Sequence, residues 1–136
     1  MCGIIGITSN ENVSASIIGA LRKLEYRGYD SAGIAIHESD KIFQRKVKGK
    51  LENLVKSLEL EKSDGKTGIG HTRWATHGEP SERHAHPHSS PYVSLVHNGI
   101  IENASELKNL DELKEYSFES ETDSEVITAL LSYYRK

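Results

Sequence analysis

The sequence has little of three features that would each point to a particular class of protein. It contains one cysteine, so no disulfide can form within the chain. No apolar run approaches the roughly 20 residues of a membrane-spanning helix, and the first residues lack the layout of a secretory signal. Neither charge dominates, because 17 lysines and arginines oppose 20 aspartates and glutamates. These absences predict a cytoplasmic protein that binds neither nucleic acid nor membrane.

Composition and patterning predict one globular domain. Hydrophobic residues make up 36% of the 136 residues and charged residues 27%, which suits a packed core, and no repeat or linker divides the chain. The apolar periodicity predicts strands over 2–8, 31–37, 42–47, 67–72 and 92–97, helices over 13–26, 51–58, 104–113 and from 123 onward, and a polar loop over 73–91. Asn12 is the predicted N-cap of the first helix. This mixture of elements predicts an α+β or layered α/β fold.

The position of the cysteine is the first indication of function. Cys2 becomes the N-terminal residue if Met1 is removed. Its α-amino group, with a pKa of about 7.7 to 8.0, could then take the proton from its own thiol and make a nucleophile without a catalytic histidine. The alternative is that Cys2 is a small buried hydrophobic residue in the first strand. Position alone does not decide between them.

Four groups of motifs favour the catalytic interpretation. They are MCGIIG at the start, LEYRGYDSAGIA over 24–35, HTRWATHGEPSE over 71–82, and VHNGIIEN with ETDSE from Val96 onward. In these the chain resembles the class II glutamine amidotransferases, which use an N-terminal cysteine. Among them it is most similar to the glutaminase domains of glucosamine-6-phosphate synthases. Each motif is weak by itself, and the set is specific.

The resemblance implies a fold and an activity. The fold is the four-layer α/β/β/α sandwich of N-terminal nucleophile hydrolases, and residues 1–136 would be the N-terminal part of a single type 2 amidotransferase domain, incomplete in this chain. The activity is hydrolysis of L-glutamine through a cysteine thioester, which supplies ammonia for glucosamine-6-phosphate synthesis from fructose-6-phosphate. The acceptor would be a sugar-phosphate isomerase domain beyond this chain. We therefore expect residues 1–136 alone to show impaired glutaminase activity and to form no amino sugar.

The resemblance also assigns catalytic roles. Asn98 and Gly99 would form the oxyanion hole through an amide side chain and a backbone N–H. Arg27 and Gly28 would lie against Cys2 and position its amine. From the residues alone, Asn98-Gly99 also suits a hairpin turn with φ above zero, and Gly28 suits a helix C-cap.

Five further residues would bind the substrate. Arg73 would bind the α-carboxylate of glutamine and Asp123 its α-ammonium group, because a guanidinium forms bidentate hydrogen bonds with a carboxylate. Trp74, Thr76 and His77 would belong to a loop that closes over glutamine. The structural alternatives are a surface salt bridge for Arg73 and a helix N-cap for Asp123.

The histidines raise the question of a metal site. His84, His86 and His88 alternate around Pro87, but no paired cysteines, HExxH motif or interleaved carboxylates complete a ligand set. The resembled family uses no metal here, so we predict no metal and no cofactor. The family usually has asparagine where this chain has His84. Bracing of loops is the predicted role of His71, His77, His86 and His97.

Other functions remain open at this stage. An N-terminal nucleophile hydrolase acting on another amide would share Cys2, but it would have no use for Arg73 and Asp123 as ligands of a free amino acid. Another class II amidotransferase, such as an amidophosphoribosyltransferase, or a non-catalytic ligand-binding module on the histidine-rich loop are further candidates. A truncated sheet would expose an unpaired edge, so homo-oligomers are possible.

Overall fold

The computed structural model describes residues 2–27, 30–74 and 81–135, with only the backbone of Arg27. The strands are β1 Gly3–Thr8, β2 Ser31–His37, β3 Ile42–Lys48, β4 Thr67–Arg73, β5 His88–Ser89 and β6 Ser94–Leu95. The helices are α1 Ser14–Leu24, α2 Leu51–Leu60, α3 Ala104–Lys108 and α4 Glu125–Tyr134, with 3₁₀ turns at Glu25–Arg27 and Asp111–Leu113. None of the helices in the described ranges is long and apolar enough to cross a membrane.

The main sheet is antiparallel throughout and has the strand order β1-β4-β2-β3. One face is covered by α1 and α2, and the main apolar core lies there. Glycines make this close packing possible, because a Cβ added at Gly68 or Gly70 would lie 2.7 Å from the side chain of Ile17. The small residues of β4 are therefore what allows α1 to lie directly on the strand.

The opposite face of the sheet packs against the segment over 84–98. This segment contains the two-stranded sheet of β5 and β6, and α4 lies on its far side, where the Thr128 hydroxyl donates to the His88 carbonyl at 3.3 Å. A second apolar core forms around Leu113, Val126 and Ala129. The order of layers is thus helices, sheet, sheet, helices. The predicted α+β class and α/β/β/α layering are confirmed, with a second sheet of only two strands in the described residues.

Most predicted elements are present, and the differences occur where the chain is polar. The strand predicted over 92–97 is reduced to Ser94–Leu95, and β5 lies inside the predicted loop. The helix predicted over 104–113 is interrupted, because Leu110 has an extended backbone with ψ of 145°. The N-cap of α1 is Val13, so the prediction of Asn12 as the N-cap is wrong by one residue; Asn12 precedes the cap, and its Oδ1 accepts the Ser14 N–H at 2.8 Å.

At Gly33 the main sheet lies directly against the backbone of the 84–98 segment. A Cβ added there would lie 2.0 Å from the His86 carbonyl oxygen, which is backbone and cannot move aside easily. We expect Gly33→Ala to lower the free energy of unfolding by about 3 kcal/mol, measured by urea denaturation. Gly19→Ala is the matched control, because nothing lies within 4 Å of its added Cβ and α1 gains helix propensity. Equal stability of the two variants would contradict this account of the interface.

Candidate active site

Strand pairing brings the cysteine to the end of β4. The Gly3 N–H donates to Thr72 Oγ1 at 3.2 Å, beside the first pair of the β1–β4 ladder. The Trp74 N–H donates to the Cys2 sulfur at 3.1 Å, and the thiol lies 3.6 Å from the Trp74 carbonyl oxygen. Cys2 remains partly exposed. The sulfur is therefore held by backbone at the mouth of a cleft and is not packed in a core, so the alternative interpretation as a core-filling residue is wrong.

The cleft is a cavity of about 370 Å³ beside Cys2. Its volume is at the lower end of the range for small-molecule sites, which suits a ligand the size of an amino acid. Its lining residues come from the N-terminus, the end of β4, the 86–100 segment and the start of α4. They are Cys2, Arg73, Trp74, His86, His97, Asn98, Gly99, Ile100, Thr122, Asp123 and Ser124.

Six of the predicted site residues line this one cavity, although they are far apart in the sequence. They are Cys2, Arg73, Trp74, Asn98, Gly99 and Asp123. Gly28, Thr76 and His77 lie outside the described residues, and so does the side chain of Arg27, whose backbone ends a 3₁₀ turn. The roles predicted for these four remain untested predictions.

Asn98 is fixed at both ends of its side-chain amide. Its Nδ2 donates to the Cys2 carbonyl oxygen at 2.9 Å, and its Oδ1 lies 2.8 Å from His71 Nε2. No described residue other than Gly49 has a positive φ, so Asn98-Gly99 does not form the hairpin turn with positive φ that was the alternative for this dipeptide. A Cβ added at Gly99 would lie 2.7 Å from His97 Nε2, so a side chain there would require the His97 ring to shift.

Arg73 is a buried cation at the base of the cavity. It is only 3% exposed, which excludes the surface salt bridge considered from the sequence. Burial lowers the pKa of its guanidinium, and its electrostatic interactions with Asp30, Cys2 and Asp123 oppose that shift. The Asp30 carboxylate lies 3.9 Å away. The guanidinium therefore lies in the wall of the cavity close to the carboxylates of Asp30 and Asp123.

Asp123 faces the same cavity and is also buried. Its Oδ2 accepts the Ile101 N–H at 2.5 Å, and the Ser124 hydroxyl donates to Oδ1 at 3.4 Å. The N-cap of α4 is Ser124, without a side-chain capping bond, so Asp123 is not the N-cap considered above. The carboxylate instead ties the start of α4 to the segment that carries Asn98.

Sequence reasoning missed Ser124, one of the residues that join these two segments. His97 Nδ1 lies 3.0 Å from the Ser124 hydroxyl, and the His97 N–H donates to His86 Nδ1 at 3.3 Å. His86 and His97 were predicted to brace loops, and they do. Ser124 and Thr122 gave no signal of their own, because a serine or threonine near a helix start is most simply interpreted as a cap.

The histidines form a cluster beneath the cavity. The rings of His71 and His86 stack at 4.1 Å, and those of His86 and His88 lie 4.6 Å apart. His84 is buried with Nε2 at 4.0 Å from the Glu121 carboxylate. No group of three or more histidine, cysteine or acidic residues within the described ranges is arranged to hold a metal ion.

The cluster makes stability depend on pH. Burial lowers the pKa of His71 to about 4 and that of His88 to about 3, while an unfolded histidine titrates near 6.5. Below pH 6.5 the unfolded chain therefore binds protons that the folded chain does not, and folding is disfavoured as pH falls. We expect the free energy of unfolding to drop by about 2 to 4 kcal/mol between pH 7 and 5, measured by urea denaturation. Equal stability at both pH values would contradict the buried, neutral cluster.

Removal of the buried Arg73 guanidinium should weaken substrate binding. If Arg73 binds the carboxylate of a free amino acid, Arg73→Ala should raise KM about 10- to 100-fold with a smaller change in kcat. Steady-state kinetics with glutamine measure this. Arg22→Ala is the control, because Arg22 forms an exposed ion pair with Glu52 on the opposite face. An unchanged KM in Arg73→Ala would show that Arg73 does not bind the substrate carboxylate.

Sequence comparisons identify the relatives of the chain. It is 52% identical over 132 residues to a glutamine–fructose-6-phosphate aminotransferase (isomerizing) of Brucella suis, and 54% identical over 134 residues to that of Mesorhizobium japonicum. The protein of the same name from Clostridium acetobutylicum is 53% identical over 136 residues. These matches cover 97 to 98% of this chain. The chain spans about a fifth of the length of these relatives, since 22% of each is covered.

A solved structure shares the fold. The glutamine phosphoribosylpyrophosphate amidotransferase of Bacillus subtilis, complexed with ADP and GMP, superposes with a TM-score of 0.78 and 29% identity. The match covers 97% of this chain and 29% of that one. No protein-family model matches the chain. The resemblance that the sequence motifs predict is confirmed by both kinds of relative.

Proposed function

We propose that this chain, which is related to the glutamine–fructose-6-phosphate aminotransferases and has the fold of a class II amidotransferase, carries the glutamine-hydrolysing site of such an enzyme. Residues 1–136 would form the N-terminal part of one type 2 amidotransferase domain. The observation that carries the proposal is the cavity in which the Cys2 sulfur shares its walls with Asn98, Arg73 and Asp123. A nucleophile, an amide donor, a cation and an anion are what the hydrolysis of a free amino-acid amide requires.

The reaction follows from these groups. With Met1 removed, the thiol proton of Cys2 passes to its own α-amino group as the sulfur attacks the side-chain carbonyl carbon of glutamine. The carbonyl oxygen becomes an oxyanion, stabilised by Asn98 Nδ2 and the Gly99 N–H. The α-ammonium group returns the proton to the leaving nitrogen, the C–N bond breaks, and ammonia departs from a γ-glutamyl thioester. Water, deprotonated by the same amine, then breaks the C–S bond and releases glutamate, and the thiol regains its proton.

Substrate selection follows from the two buried charges. Arg73 binds the α-carboxylate and Asp123 the α-ammonium group, so that the side-chain amide points toward Cys2. The Asp123 carboxylate already accepts one N–H and keeps lone pairs for a ligand. These charges favour glutamine over a neutral acyl amide, which separates this proposal from an N-terminal nucleophile hydrolase of another substrate.

The ammonia acceptor belongs to the rest of the protein. The names of the relatives at 52 to 54% identity support fructose-6-phosphate as the acceptor. The motif resemblance adds glucosamine-6-phosphate as the product, formed on a sugar-phosphate isomerase domain. The relative named for phosphoribosylpyrophosphate is only 29% identical. We place the reaction in the cytoplasm, without nucleic acid or membrane as partner, and self-association through an exposed sheet edge is compatible with it.

A comparison of alternative substrates tests the proposal. The full-length protein should release glutamate from L-glutamine and should hydrolyse glutaramide, which lacks both the carboxylate and the amine, at least about 100-fold less efficiently in kcat/KM. It should also form the amino sugar from fructose-6-phosphate but no phosphoribosylamine from phosphoribosylpyrophosphate. Equal hydrolysis of glutamine and glutaramide would refute the role of the charged pair. If the protein transferred ammonia only to phosphoribosylpyrophosphate, fructose-6-phosphate would be the wrong acceptor.

A further inference from the structure

His71 is a fully buried histidine that the mechanism above does not use. It lies in β4, where its backbone pairs with Ile4 on one side and Gly33 on the other. Its side chain lies on the face of the sheet that packs against the 84–98 segment, since its ring stacks on His86 with an interplanar angle of 15°. This ring is therefore fixed in position and in plane before any substrate binds.

The hydrogen bonds of Asn98 determine which proton His71 carries. The Cys2 carbonyl oxygen can only accept, so the atom of Asn98 that lies 2.9 Å from it must be the NH₂ group. The amide oxygen then faces His71 Nε2 at 2.8 Å, and because an amide oxygen can only accept, Nε2 must carry the proton. One network thus fixes the amide orientation and the histidine tautomer together.

The environment keeps His71 in this neutral form. Burial lowers its pKa to about 4, against the opposing effects of its hydrogen bonds with the Asn98 side chain and with the His97 backbone. At cellular pH the ring therefore offers one N–H donor, and its Nδ1 carries no proton. Rotation of the Asn98 amide by half a turn would set its NH₂ group against the Nε2–H and its oxygen against the Cys2 carbonyl oxygen. Both of those contacts are repulsive.

We propose that His71 is a positioning residue for glutamine hydrolysis, because its Nε2–H holds the Asn98 amide with Nδ2 directed toward Cys2. This inference rests on the proposed function and extends it by one residue that never touches substrate. Of the two N–H groups on Nδ2, one is held by the Cys2 carbonyl oxygen and the other is left for the developing oxyanion. Preorganised donors of this kind act on the transition state and not on ground-state binding.

A double-mutant cycle with a rescue variant tests this role in the full-length protein. His71→Leu removes the donor and should lower kcat for glutamine hydrolysis roughly 10- to 100-fold, with KM within about threefold of the wild type. His71→Gln restores an N–H near the position of Nε2 and should recover most of the lost kcat. In the Asn98→Ala background, His71→Leu should cost less than about threefold, because the group it positions is absent.

Two results would overturn the role. If His71→Leu lowers kcat by the same factor with and without Asn98, or if His71→Gln is as impaired as His71→Leu, the histidine is only structural. The tautomer supplies a second test that needs no catalysis and no variant. The nitrogen NMR shifts of His71 should show a protonated Nε2 and an unprotonated Nδ1, and the reverse pattern would exclude donation to Asn98.

The tautomer measurement also separates this inference from the proposed function. A wild-type protein without glutamine hydrolysis would refute the function whatever the state of His71. A hydrolysing enzyme with His71 protonated on Nδ1 would refute only the positioning role.

Discussion

Replacing Cys2 by alanine is expected to abolish glutamine hydrolysis, with kcat falling by roughly 10⁴-fold or more. The sulfur is the only atom in the cavity that can form the thioester, because the sequence contains one cysteine and the other polar groups of the cleft are placed to bind or to donate. The measurement is release of glutamate and ammonia by the purified variant.

Loss of activity must be separated from loss of structure. The substitution removes one sulfur atom near the chain end and the contact with the Trp74 N–H, so the free energy of unfolding should change by less than about 1 kcal/mol. The oxyanion hole and the Arg73 and Asp123 charges would remain, and glutamine should still bind. Turnover within tenfold of the wild type would show that the nucleophile lies elsewhere.

Replacing Asn98 by alanine should lower kcat about 10²- to 10³-fold and leave KM within about threefold. In the proposed mechanism the amide side chain donates to the oxyanion, which exists only along the reaction path, so ground-state binding should be little affected. The measurement is the full dependence of rate on glutamine concentration, so that kcat and KM are resolved separately.

A second asparagine provides the matched control. Asn109 follows α3 and donates through its side chain to the Ser105 carbonyl oxygen at 2.8 Å, away from the cavity. Asn109→Ala should leave both kinetic constants unchanged. A rise in KM with constant kcat in Asn98→Ala would make Asn98 a binding residue and not an oxyanion donor.

The fold was predictable from the sequence where apolar periodicity is strong. In β2 the predicted and observed bounds agree at residues 31–37, because Ile34 and Ile36 alternate with small residues along a buried strand. The strand predicted over 92–97 was overestimated, since only Ser94 and Leu95 pair with β5. β5 was missed because its pairing with β6 covers two residues on each side and leaves no periodic signal.

The site was predictable only in part, for a physical reason. The resemblance indicated Cys2, Arg73 and Asn98, whose residue types carry the chemistry, and the structure places them around one cavity. The bond between His71 and Asn98 joins residues 27 positions apart. No local pattern encodes such a contact, because it depends on how the two sheets meet. The same holds for Gly33, whose lack of a side chain matters only because the His86 carbonyl lies against it.

The most direct test of the central claim is to map a covalent adduct. A glutamine analogue with a diazoketone in place of the side-chain amide should alkylate the nucleophile, and peptide mass mapping then locates the label and the true N-terminus. The account predicts that the labelled peptide begins at Cys2, without Met1, and carries one analogue on the sulfur. A reactive protein that retains Met1, or a label on any other residue, would contradict it.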